Sequence, residues 1–134
     1  MKENVYFIKV AKKLDYFFSG ILDIKMYPYG NAHEKKLPDG HYAYECQHGD
    51  VECQGNFIEA CIQKETNFNA NFYFPVLECM ESADRIHILD IGKQCLELFV
   101  PNSNWNLVME CAHVCNEHLG HNYLSKSRKI PCFQ

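Results

Sequence analysis

The sequence predicts a mainly α fold of the α+β kind, stapled by disulfides, and three observations support that prediction. Apolar residues recur at helical period over most of the chain. One short segment, Leu22–Tyr27, alternates apolar and polar side chains as a half-buried strand does. Eight cysteines, an even number, are spread from Cys46 to Cys132. The 134 residues read as a single domain, 1–134, large enough for one hydrophobic core.

The first helix is expected over Val5–Phe18, where Phe7, Val10, Ala11, Leu14, Phe17 and Phe18 share a face and Lys9, Lys12 and Lys13 point elsewhere. Gly20 supplies a C-cap. Leu22–Tyr27 follows as the strand. Pro28 ends it, Tyr29-Gly30-Asn31 turns the chain, and residues 32–45 read as a polar loop. Asp50 is expected to cap a helix over Val51–Lys64, with Cys53, Phe57, Cys61 and Ile62 inward. Pro75 suits the first turn of a short helix reaching Met80. Asp84 caps another, carrying Ile86, Leu89, Cys95 and Phe99, with Gly92 weakening its middle. Asn104 or Ser103 caps the last, Trp105–Leu119, closed by Gly120. A lone strand leaves backbone groups to satisfy, so Leu22–Tyr27 needs another segment, a second molecule or water. A two-fold homodimer pairing through it is therefore one expected assembly.

A net charge of −4 and a pI near 5.9 argue against nucleic-acid binding, which needs basic patches. No run of 18 apolar residues exists, so no membrane span is expected. Lys9, Lys12, Lys13 and Asp15 interrupt the apolar residues between Val5 and Ile21, and no signal peptide is read there. In a cytosolic protein the eight cysteines would be metal ligands or redox centres. In a secreted one they form a disulfide framework, the reading that their number and spacing favour.

Residues 46–61 read CQHGDVECQGNFIEAC. The fixed positions Cys46, Gln47, His48, Gly49, Glu52, Cys53, Asn56 and Cys61 match the pattern C-Q-H-G-x2-E-C-x2-N-x4-C. On these residues the chain resembles the gamma-interferon-inducible lysosomal thiol reductases. Pro28-Tyr29-Gly30-Asn31-Ala32 resembles the same family's PYGNA turn. Glu78-Cys79-Met80-Glu81, Cys95-Leu96 and Met109-Glu110-Cys111 resemble its later cysteine landmarks. The resemblance implies a thioredoxin-like enzyme with a large helical insertion, reducing protein disulfides in acidic compartments. It would use a CxxC pair at the start of its first helix, where the helix dipole favours a thiolate. Secretion or a lysosomal location follows from the same resemblance.

Two departures from the family shape the expected function. The helix that should carry CxxC opens Met1-Lys2-Glu3-Asn4-Val5, with no thiol before Cys46. The family's first strand would precede residue 1, and its proline-preceded strand should follow residue 120, where the chain instead reads LSKSRKIPCFQ. The expected fold is thus a truncated thioredoxin-like domain dominated by its disulfide-stapled helical region. The expected function is a secreted, non-catalytic relative that binds a protein partner or cell surface. The alternative is a processed or truncated reductase.

The resemblance implies three bridges among Cys46, Cys53, Cys61, Cys79, Cys95 and Cys111, and the two additional cysteines, Cys115 and Cys132, are expected to form a fourth. Under that scheme Cys46 is not a nucleophile activated by His48, because a bridged cysteine has no thiolate. Cys111, Cys115 and His118 share a helical face, but their spacing fits no common zinc module. No metal and no cofactor is expected.

Overall fold

The computed structural model describes residues 2–28, 32–39, 42–83 and 85–115. Its central element is a helix with apolar or small residues around most of its circumference. This is α2 (Asp50–Glu65), in which every residue from Phe57 to Gln63 is buried. A helix apolar on several sides must be covered on several sides, and α2 packs against three others: α3 (Ala70–Ser82), α4 (Ile88–Phe99) and α5 (Trp105–Val114). The opening helix α1 (Lys2–Phe17) packs against α3. Between α1 and α2 run an extended segment and a two-stranded antiparallel hairpin, β1 (His33–Lys36) with β2 (Tyr42–Glu45), in the register His33–Glu45 to Lys36–Tyr42.

The core is drawn mainly from α2 and α3. Ile58, Ile62, Tyr73, Phe74, Val76, Leu77 and Met80 are almost wholly buried, joined by Leu96 of α4 and Val108 of α5. Burying each such side chain contributes roughly 1.5–3 kcal/mol. Among the described residues, three disulfides tie neighbouring elements together. Cys46–Cys53 joins the end of the hairpin to α2, Cys61–Cys111 joins α2 to α5, and Cys79–Cys95 joins α3 to α4.

The mainly helical, disulfide-stapled class stands, and five particulars are corrected. α1 buries Ile8 and Ala11 against α3, while Phe7, Leu14, Phe17 and Phe18 of the expected inner face are exposed. Residues 33–45 carry the β1–β2 hairpin rather than a loop. α3 starts at Ala70 under an Asn69 cap, so Pro75 sits inside it. α2 is capped by Gly49, with Asp50 as its first residue. α4 follows a 3-10 turn, Arg85–His87, and buries Ile88, Gly92, Cys95 and Leu96, leaving Ile86 and Phe99 exposed. Gly92 is there for space: a Cβ on it would lie 3.0 Å from Cη2 of Trp105. Asn104 caps α5, accepting from the Asn106 N–H. Asp84 and the expected extension of α5 to Leu119 lie outside the described residues.

Leu22–Tyr27 is extended but belongs to no sheet among the described residues. Its inner edge is served by side chains instead. The Gln63 carboxamide accepts from the Met26 N–H at 3.0 Å and donates to the Met26 carbonyl at 2.9 Å. The Tyr73 hydroxyl donates to the Ile24 carbonyl. Residues two apart in an extended chain present their backbone groups on the same edge, so one helix-borne amide and one phenol occupy places that a neighbouring strand would fill.

Candidate functional site

Cys46-Gln47-His48-Gly49 forms the turn that starts α2. The Gly49 N–H donates to the Cys46 carbonyl at 3.0 Å, and the Gly49 carbonyl accepts from Glu52 and Cys53. Gly49 has φ 86° and ψ −170°, a region open almost only to glycine. Nothing lies within 4 Å of where its Cβ would be, so backbone conformation and not crowding requires this residue. Glu52, in the first turn, accepts from the His48 N–H at 2.7 Å, and its carboxylate lies 3.0 Å from Nδ1 of His48. This is a close relative of the capping box, with the carboxylate reaching back one residue further. The Cys46–Cys53 bridge closes the turn. His48 therefore faces a carboxylate, and Cys46 is oxidised and buried. Gln47 is exposed and Asn56 is half-buried on α2.

One turn further on, Asn56 and Glu59 help form the floor of a groove of about 520 Å³ between α1 and the extended segment. Phe7, Val10 and Leu14 form one wall, and Ile24 and Met26 form the other. Glu52, Glu59 and Glu81 bring carboxylates to this apolar cleft, and Lys25 is the one cation among its described lining residues. Tyr73, beneath the extended segment, has its pKa pushed well above the ordinary tyrosine range by burial, with Asp15 and Asp23 adding to the shift. It remains a protonated donor to Ile24.

The second notable cluster is sulfur. The Sγ atoms of Cys61, Cys111 and Cys115 all lie within 4.8 Å of one another. Such spacing suits a metal site only for free thiolates. Here Cys61 and Cys111 are bridged to each other, and Cys115 is also disulfide-bonded. Cys132, the partner expected for Cys115, and His118 lie outside the described residues.

The motif residues were legible from their order, but the groove was not. Its acidic residues include Glu59, outside every motif, and Glu81, which entered only as part of a cysteine landmark, and its wall is a face of α1 that periodicity assigned to the core.

A helical domain with two of its packed helix pairs cross-linked, and a CQHG turn opening its central helix, defines a class of disulfide-stapled proteins built around that turn. Residues 5–99 match the family model described as gamma interferon inducible lysosomal thiol reductase (GILT). The chain is 42% identical over 93 residues to "Gamma-interferon-inducible lysosomal thiol reductase" of Carassius auratus. It is 36% identical over 95 residues to the protein of the same name in Mus musculus. Each match covers 69% of this chain and 35% of the relative. A "Gamma-interferon-responsive lysosomal thiol protein" of Arabidopsis thaliana is 36% identical over 73 residues, 54% of this chain and 29% of that protein. The chain belongs to the GILT family. It spans about a third of the length of these relatives.

Proposed function

We propose that this chain is a GILT-family protein with lost or impaired thiol-reductase activity, which acts by binding a protein partner in the lysosome or after secretion. The observation that carries this reading is the state of the cysteines. No cysteine among the described residues is free, and α1, whose start would hold the family's CxxC pair, contains none. Disulfide reduction needs an attacking thiolate, and an oxidised framework offers none. The compartment follows from the framework, which persists in oxidising surroundings, and from the relatives' printed names.

The groove between α1 and Leu22–Tyr27 is the proposed binding surface. With Glu52 engaged by His48, Glu59 and Glu81 still give this apolar lining an acidic character against one lysine. That favours, by charge complementarity, a protein segment with basic residues set among apolar ones. A second copy pairing along Leu22–Tyr27 is the competing occupant. Light scattering across a concentration series, with a Lys25→Pro variant that removes a backbone donor, distinguishes them: a mass that doubles in the parent but not in the variant assigns the edge to a homodimer.

Insulin reduction at acidic and neutral pH tests the loss of activity. The expected result is no turnover above the uncatalysed rate. Turnover comparable to that of a CxxC-bearing relative would establish the alternative, a thiol-disulfide oxidoreductase of the GILT type.

A further inference from the structure

Cys111 and Cys115 stand one helical turn apart on the same face of α5, and Cys61 of α2 faces both. Its Sγ is bonded to Cys111 at 2.03 Å and lies 3.8 Å from the Sγ of Cys115. Cys61 and Cys115 are each 1% exposed, whereas Cys111 is only half-buried. A sulfur in contact with a disulfide attacks it from the line of the S–S bond. Because the three Sγ atoms lie within 4.8 Å of one another, short of a linear array, the Cys115 side chain must first turn into line with the Cys61–Cys111 bond once it becomes a thiolate.

We propose that Cys61, Cys111 and Cys115 form a thiol–disulfide exchange centre that converts opening of the Cys115 bridge into an accessible thiol at Cys111. A dithiol reductant, small-molecule or protein, first opens the bridge holding Cys115. It supplies two electrons, is itself oxidised to a disulfide, and leaves thiols on Cys115 and its former partner. The Cys115 thiolate then attacks the Cys61 sulfur. A Cys115–Cys61 bond forms, the Cys61–Cys111 bond breaks, and Cys111 departs as a thiolate that takes up a proton. The second step is redox-neutral, and α2 stays covalently joined to α5 throughout. In the fully oxidised protein the centre is silent, so it does not depend on the reading of lost CxxC activity, and the insulin assay on oxidised protein does not test it.

A Cys132→Ser variant removes the one cysteine of the eight left to pair with Cys115. It should be alkylated under native conditions and mapped by mass spectrometry without reduction. The expected result is label on both Cys111 and Cys115, together with a Cys61–Cys115 linked peptide. The two bridges should be populated within about tenfold of each other, since they join the same cysteine to adjacent turns of one helix. Label on Cys111 at less than a tenth of that on Cys115 overturns the proposal. A Cys111→Ser/Cys132→Ser variant provides the second reading. Closure of Cys61–Cys115 with no free thiol supports exchange, and two free thiols in a folded protein overturn it. If neither variant folds, the parent protein is treated natively with one equivalent of dithiothreitol and acid-quenched before labelling, and the same Cys111-to-Cys115 ratio decides.

Discussion

The region from α2 to α5 and the region from α1 to the hairpin are held together in different ways. In the first, two packed helix pairs carry disulfides, α2–α5 through Cys61–Cys111 and α3–α4 through Cys79–Cys95, and the interior between them is almost wholly excluded from water. In the second, α1 has no cysteine and, among its described side chains, buries only Ile8 and Ala11, while Phe7 and Phe17 are 65% and 75% exposed. What attaches the region, besides Ile8, Ala11 and the Cys46–Cys53 bridge at its end, is a set of individual polar contacts. Lys12 reaches Glu78 at 2.6 Å, Gln63 brackets Met26, and Tyr73 bonds Ile24. The stapled region thus supplies most of the one core, and the N-terminal region is docked onto it, adding Ile8, Ala11 and Ala32. Substitutions in the first should lower global stability, and substitutions in the second should loosen the dock first.

The largest effect is expected from the bridge that closes the longest loop. Chain-entropy arguments give about 4 kcal/mol for Cys61–Cys111, about 3 for Cys79–Cys95 and about 2 for Cys46–Cys53, following sequence separations of 50, 16 and 7. Paired Cys→Ala variants in thermal or denaturant melts should follow that order, and full reduction should unfold the stapled region. A melting temperature indifferent to strong reductant would remove the distinction between the two regions.

Gln63→Leu comes next, at about 2–3 kcal/mol, because the Met26 N–H and carbonyl both lose their partner. Hydrogen exchange should show residues 22–28 losing protection while α2 to α5 retain theirs. Equal loss in both regions would mean that they form one cooperative unit. Gly49→Ala should cost about 1–3 kcal/mol through backbone strain alone, since open space surrounds the site. Its melt should fall with no change in core packing by near-ultraviolet circular dichroism.

Tyr73→Phe should cost the least, about 1 kcal/mol, and it carries a pH signature. The folded-state pKa is raised above that of the unfolded chain, chiefly by burial. The resulting stability is therefore fully present below the unfolded value near 10 and is lost as pH rises beyond it. The parent should lose stability in that alkaline window more steeply than Tyr73→Phe, as read by denaturant melts at stepped pH. Parallel profiles would place Tyr73 outside the dock.

Much of the stapled region was legible in the sequence. Asn104 ahead of Trp105 and the inward set Cys53, Phe57, Cys61 and Ile62 on α2 sit where capping and helical period put them. The failures concentrate in the docked region and have a common cause. Periodicity finds the apolar face of a helix, not the face that something covers, and on α1 the larger apolar residues are the exposed ones. The hairpin escaped because HEKK and YAYE are too polar or too short to show alternation, although Pro38-Asp39 marks its turn. For the candidate site, the motif was readable as a string, but the reasons for its letters were not. The need for Gly49 lies in a backbone angle, and that for Glu52 in a hydrogen bond to the preceding turn. Gln63 was beyond reach, since an amide in a helix ordinarily reads as a solvent-facing residue.

That glutamine has a wider implication. A carboxamide carries one acceptor and one donor group on a planar unit, the same pair that a peptide bond presents. A helix that aims one such side chain at an extended chain reads that chain's backbone without regard to its side chains. Glutamate would offer oxygens to the Met26 carbonyl, where a donor is needed, and asparagine is one methylene shorter. The demand at this point of the fold is therefore for both polarities at a fixed reach. Any sequence that keeps them is free to change the exposed Lys25, and to exchange Ile24 and Met26 for other apolar residues, and with them the chemistry of the groove wall.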